Sequence, residues 1–209
     1  MKKYKFTGET KKIFTLSRVV NLHRICAVSE FGTVKAGDLG GWIEREENLS
    51  HDGLAWVRDN AIVRDNAIVR DDAIVRDNVI VRDSAIVRNS AIVSDNAIVR
   101  DNAEIRDNVW VNGDAIICGN ACVRTNARIC DNALVSSTNH ILVIGHIGSR
   151  DDFITFYHDN ENDITVRCGC FNGKIDKFLE KVSQTHGDSK YGAVYRAAAE
   201  LAKLQIKLR

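Results

Sequence analysis

The sequence predicts a mainly β chain built around a single-stranded β-helix (β-solenoid), with an N-terminal β cap and a small C-terminal α+β module. Three observations predict it: a six-residue period running unbroken through fourteen repeats, a complete absence of proline, and loss of that period on both sides. The hexads run from Leu54 to Ser137 and read LAWVRD, NAIVRD, NAIVRD and so on to NALVSS. Their second column is Ala except for Val79 and Val109, and their fourth is always Val or Ile, from Val57 to Val135. Residues two apart on a strand share a side, so each hexad sends one small and one branched side chain inward together. A helix would rotate those columns steadily around its axis at 3.6 residues per turn, so the helical reading fails. The Arg-Asp-Asn group between strands makes the corner, because Asp and Asn tolerate left-handed backbone angles. Absence of proline suits a backbone whose amides are nearly all spent in ladders.

This register resembles the hexapeptide-repeat, left-handed β-helix family, with Arg where that family usually places Gly, as in Arg106-Asp107-Asn108-Val109-Trp110-Val111. The resemblance implies a left-handed winding with three hexads per coil, hence nearly five coils and a rod roughly 20–25 Å long.

Residues 1–53 lack the period and read as a cap over the first coil, which a solenoid requires. YKFTG and RVVNLHRICAVSEFG are strand-forming runs, and GDLGGWIEREENLS reads as a glycine turn leading into the rod. The stretch from Tyr4 to Ser50 with the following repeats resembles the YdcK-like group of bacterial β-solenoid proteins, over about the first two-thirds of the chain. Residues 138–209 form a different unit, read as βββαα. HILVIGHI, FITFY and DITVRCGCF supply strands, and Ile175, Phe178, Leu179 and Val182 give an amphipathic helix over Lys174–Gln184. A second helix follows the stop and cap in His186-Gly187-Asp188-Ser189. Cap, rod and tail together look like uncharacterised proteins of phages and mobile elements. That resemblance implies a bacterial host protein, such as one of a defence system, or a signal nucleotide as the partner.

Charge excludes some functions. Lys+Arg 29 against Asp+Glu 28 leaves a net charge of +1, so neither DNA, RNA nor an anionic membrane surface is an expected partner. No apolar run approaches membrane-spanning length and no signal peptide is evident, so a cytoplasmic protein is expected. The six cysteines are then read as free thiols.

Acyl transfer is the obvious activity for a hexapeptide rod. Enzymes of that family resemble one another in a histidine base and a loop thrown out of the coil. None of the six histidines (His23, His51, His140, His146, His158, His186) lies inside the hexads, and no hexad carries an insertion. A general base must reach its proton. The three histidine ligands of the related γ-type carbonic anhydrases are likewise missing from the rod. The reading is therefore a non-enzymatic binding or scaffold protein with no cofactor and no catalytic residue. A hexapeptide acyltransferase, or a degenerate relative, is the alternative.

Two candidate surfaces follow. Ser149, Arg150, His186 and Tyr191 are ligand-binding candidates in the C-terminal module, and Cys168 and Cys170 a weak start to a soft-metal site. The residue between the two inward columns faces outward. Sorted by the 18-residue coil, Ile62, Ile80, Ile98, Ile116 and Leu134 form one apolar row, predicted to join copies into an oligomer, expected as a trimer.

Overall fold

A computed structural model of the chain describes residues 2–208. Strands β1 (Tyr4–Phe14), β2 (Val19–Ala27) and β3 (Leu39–Ile43) open the fold. Fourteen two-residue strands, β4 (Trp56–Val57) to β17 (Leu134–Val135), follow at one per hexad. The last part contains β18 (Ile141–Ile147), β19 (Asp152–His158), β20 (Ile164–Cys168), β21 (Phe171–Lys174), α1 (Ile175–His186) and α2 (Lys190–Gln205). No described helix is long and apolar enough to cross a membrane.

The rod strands stack in parallel on three faces, each pairing with the strand three hexads away. Both inward columns are sealed: Ala61, Val63, Ala97 and Val99 are all fully buried, and the core they form is continuous along the rod. In every hexad but the last the corner is made by one residue at positive φ. Asp fills most of these positions, from Asp59 to Asp131, with Asn89, Gly113, Gly119 and Thr125 as the exceptions. These side chains also tie coil to coil. The Asp83 carboxylate accepts the backbone N–H of Asp101 at 3.1 Å, and the Asp101 carboxylate accepts that of Gly119 at 2.9 Å. A parallel ladder of amides runs beside them, Asn60 to Asn78 to Asn96. The corner residue thus both turns the chain and pairs it with the next coil.

Winding begins before the hexads. The GDLGGW segment is not a simple turn, because β3 pairs in parallel with the rod, Trp42 opposite Ile62 and Ile43 opposite Val63. Leu49 then bridges Val69. Ile43 and Leu49 are one hexad apart, but two extra residues before Val57 break the period that sequence inspection follows. The glycines serve close approach: a Cβ on Gly40 would lie 2.5 Å from Ile25 Cγ1 and 2.7 Å from the Val57 carbonyl oxygen. Asn48 closes the start of the rod, its side-chain amide donating to the Ala67 carbonyl at 2.8 Å.

At the other end β19 lies on the final coil. Arg128 N–H donates to Thr155 Oγ1, the Tyr157 hydroxyl donates to the Cys130 carbonyl, and Asn160 N–H donates to that of Asn132. Tyr157 is fully buried and belongs to the rod's core. The C-terminal part has four strands rather than three. DITVRCGCF is a hairpin whose turn, Gly169-Cys170, brings Cys168 opposite Phe171, with Gly169 at φ +56. The antiparallel order β18-β19-β20-β21 places one face against α1 and α2, around a second core of Phe156, Val166, Phe178 and Tyr195.

Candidate functional site

The C-terminal part holds an open cavity of about 300 Å³ between the β18–β19 turn, the β20–β21 turn and the two helices. Its floor is apolar, from Phe171, Phe178 and Val182, with the Tyr195 ring behind them. Its rim carries Arg150, Lys181 and His186, the hydroxyls of Ser149 and Thr185, and both thiols of Cys168 and Cys170. No carboxylate is among the lining residues.

Each group is held for a local reason. The β18–β19 turn is pinned by Ser149 N–H, which donates to the Tyr195 hydroxyl at 3.2 Å. Arg150 leaves this turn and packs over Gly169, where a Cβ would come within 2.9 Å of its Nη1. Lys181 and Thr185 project from α1, one turn apart. His186 ends α1, and its ring tilts against Tyr195 at a centroid distance of 5.4 Å. Burial pushes the Cys168 thiol up from its usual range, a hydrogen bond with Tyr195 opposes this, and the Asp152 charge adds to the rise. A thiol so shifted is neutral near pH 7 and a poor nucleophile.

The fold thus gathers Ser149, Arg150, His186, Cys168 and Cys170, which are scattered in sequence, around one cavity. It does not bring Tyr191 into the lining. That ring stands at the far side of His186, 6.2 Å away, and is about half exposed (46%). Tyr195, Lys181 and Thr185 were missed. Tyr195 lies one helical turn beyond Tyr191, Lys181 five residues before His186 and Thr185 directly before it, at positions that look like an ordinary helix face. Cys168 and Cys170 do not share a strand side, since Cys170 sits in the turn. Among the described residues no group of three or more His, Cys, Asp or Glu side chains is arranged to hold a metal ion.

The rod's outer rows match the sequence sorting. Ile62, Ile80, Ile98, Ile116 and Leu134 stand opposite one another along a single sheet, with Trp42 extending the row by one. The five are half-buried, and Ile62 is drawn into a small separate core with Val20, Leu22 and Trp42 under the β1–β2 hairpin. The free row therefore starts at Ile80. The other two rows are interrupted by Glu104, which pairs with Arg88 at 2.5 Å, and by Arg128.

The parallel three-faced solenoid with fully buried Ala and Val columns resembles the architecture of hexapeptide-repeat proteins. The chain is 40% identical over 68 residues to "Uncharacterized acetyltransferase YdcK" of Escherichia coli (strain K12), a match covering 30% of this chain and 21% of that protein. This is less than the two-thirds of the chain over which the resemblance was expected, and the chain spans about a fifth of that relative. No protein-family model matches the chain.

Proposed function

We propose that this chain is a non-enzymatic binding protein, in which the solenoid is a self-associating scaffold, expected as a trimer, and the C-terminal part carries a small ligand. The observation behind this reading is the cavity with Arg150, Lys181 and His186 at its rim, no carboxylate in its lining, and Phe171 and Phe178 at its floor. Cationic groups at the edge of an apolar pocket suit an anion that also has a flat, apolar part. A small nucleotide is the class that meets both demands. About 300 Å³ is at the lower end of ordinary ligand cavities, so a mononucleotide-sized ligand suits it better than a large cofactor. Sequestering a signal nucleotide, or engaging a bacterial host protein, is the role this reading assigns.

The test is calorimetric titration of the full chain with ATP, AMP, adenosine and inorganic phosphate. Binding of a nucleotide but not of adenosine or phosphate alone, weakened about tenfold or more in Arg150→Ala, is the expected result. Equal binding by Arg150→Ala, or no binding of any of the four probes, would overturn the assignment.

Acetyl transfer is the second reading, favoured by the printed name of the relative matched over 68 residues. Turnover of acetyl-CoA by the purified chain with a panel of amine acceptors would establish it. On the preferred reading no turnover occurs, and the neutral Cys168 thiol and fourteen hexads without a histidine are its physical support.

A further inference from the structure

We propose that the tip of the β1–β2 hairpin is an assembly arm that seats on the rod of a second copy of this chain; the inference rests on the reading that the chain self-associates. Pairing of β2 with β3 reaches only His23 opposite Ile43. Beyond it, four further β1–β2 pairs, Lys11–Leu22 to Phe14–Val19, continue without a third strand. The two sides of this extension differ. On one side Ile13, Val20 and Leu22 pack on Trp42 and Ile62, and Val20 and Leu22 are fully buried. On the other, Phe14 and its cross-strand partner Val19 are 82% and 48% exposed, and Leu16 in the connecting turn is fully exposed. Three large apolar side chains at one tip are not what a monomer leaves in water.

Arg18 donates to both Glu44 oxygens, at 2.6 and 2.9 Å, and also to Asp65 of the rod, which fixes the direction of the hairpin while Phe14 and Leu16 stay exposed at its tip. A cleft of about 660 Å³ separates it from Ile80, Arg82 and Asp83.

The repeat says what it would meet. Ile62 is already the seat for this hairpin's inner side, and Ile80, Ile98 and Ile116 repeat that seat in register along the same sheet. Each chain therefore offers one apolar tip and several unused copies of an apolar seat. Charge agrees: residues 4–27 carry five Lys and Arg against one Glu, whereas the fourteen hexads carry ten Arg against twelve acidic residues. A basic arm and an acidic rod attract between copies. Contact of one chain's tip with a different patch on the next is heterologous, which gives the expected trimer where the rotation closes into a ring and a filament where it does not.

The test combines light scattering with cysteine cross-linking. Wild type should be oligomeric at micromolar concentration, and Phe14→Ser with Leu16→Ser should raise the dissociation midpoint about tenfold or more while leaving the circular-dichroism spectrum unchanged. Mixing the Leu16→Cys chain with the Ile98→Cys chain should give a disulfide-linked dimer above the level of either alone. A monomeric wild type would overturn both self-association and the arm. An oligomer indifferent to the tip but dissociated by Ile80→Glu with Ile98→Glu would overturn the arm alone. So would a cross-link formed only when both cysteines are in one chain.

Discussion

The rod and the C-terminal part of this chain reach order by different routes. In the rod most coils repeat the same three instructions: a small residue near the corner, a branched one on the flat, and a corner residue at positive φ whose side chain bonds the next coil. No side chain there is irreplaceable by reason of a unique neighbour, because the neighbour is the same residue one coil on. In the C-terminal part nothing repeats. Tyr195 touches His186, Phe178, Ser149 and the β18–β19 turn at once, and no other residue could do so. A repeat distributes stability evenly and offers long regular surfaces. A non-repeating core concentrates contacts and can leave a shaped hollow beside them, which is where the cavity beside Phe178 and Tyr195 lies in this molecule.

The largest effect that tests this contrast is expected at the rod's closest packing. Ala97 is fully buried between stacked Ala and Val columns. Ala97→Leu adds three carbons where no space exists and should cost roughly 1–3 kcal/mol. Because each coil is supported only by its neighbours, the loss should spread, broadening the melt as well as lowering it. Amide hydrogen exchange would map the spread. Protection lost only beside residue 97 would show that the coils are less coupled than the continuous core suggests.

Next come the corners. Asp83 sits at φ +62, and its carboxylate accepts the Asp101 N–H while pairing with Arg82 at 2.7 Å. Asp83→Ala forces a side chain poorly suited to that angle and removes the acceptor, for a combined loss of about 1–2 kcal/mol or somewhat more. Asp83→Asn keeps both properties, as Asn89 does naturally, and should melt nearly as wild type. Equal losses in the two variants would mean that charge, not geometry, holds the corner.

Acid supplies a gentler probe of the same ladder. The Gly119 N–H holds the Asp101 carboxyl below its usual 3.8, with Arg100 assisting against a small burial penalty. The hydrogen bond and ion pair from Arg18 likewise lower Glu44, against burial. A depressed folded pKa gives stability that is fully present above the unfolded value and lost as pH falls through the folded one. The melting temperature should therefore be level between pH 7 and about 5 and fall below about 4. Since these carboxylates are partly exposed, added salt should blunt the contribution of each ion pair.

Much of the rod was legible in sequence because its physics is periodic. The two inward columns, the three outer rows and the left-handed corners all follow from position within a hexad. What escaped was aperiodic. The first coil was hidden by two residues inserted between Leu49 and Val57, which break the count without breaking the winding. The fourth C-terminal strand was hidden because Cys168 and Phe171 are joined by a two-residue turn too short to interrupt an apolar run. The arm was hidden because Phe14 and Leu16 look like core residues in any local pattern, and only the end of β3 leaves them unaccompanied. Arg150 and His186 could be singled out as chemically expressive residues near turns. Lys181 and Thr185 could not, since their relevance depends on which side of α1 faces the β20–β21 turn.

The smallest expected effect separates two tyrosines that sequence reasoning cannot rank. Tyr191 and Tyr195 are one helical turn apart on α2, and both approach His186. Tyr191 is about half exposed and lies outside the cavity, so Tyr191→Ala should change stability by no more than about 0.5 kcal/mol. Tyr195 is buried and accepts the Ser149 N–H, so Tyr195→Phe leaves that turn without its pin and should cost about 1 kcal/mol. Their effects on ligand should diverge further. Loosening the turn that carries Arg150 releases a rim cation from its place over Gly169, so Tyr195→Phe should weaken nucleotide binding severalfold, while Tyr191→Ala should weaken it little. Titration of both variants with the nucleotide that binds wild type decides the matter. A greater loss in Tyr191→Ala would move the ligand to the outer side of His186, away from the cavity beneath Arg150.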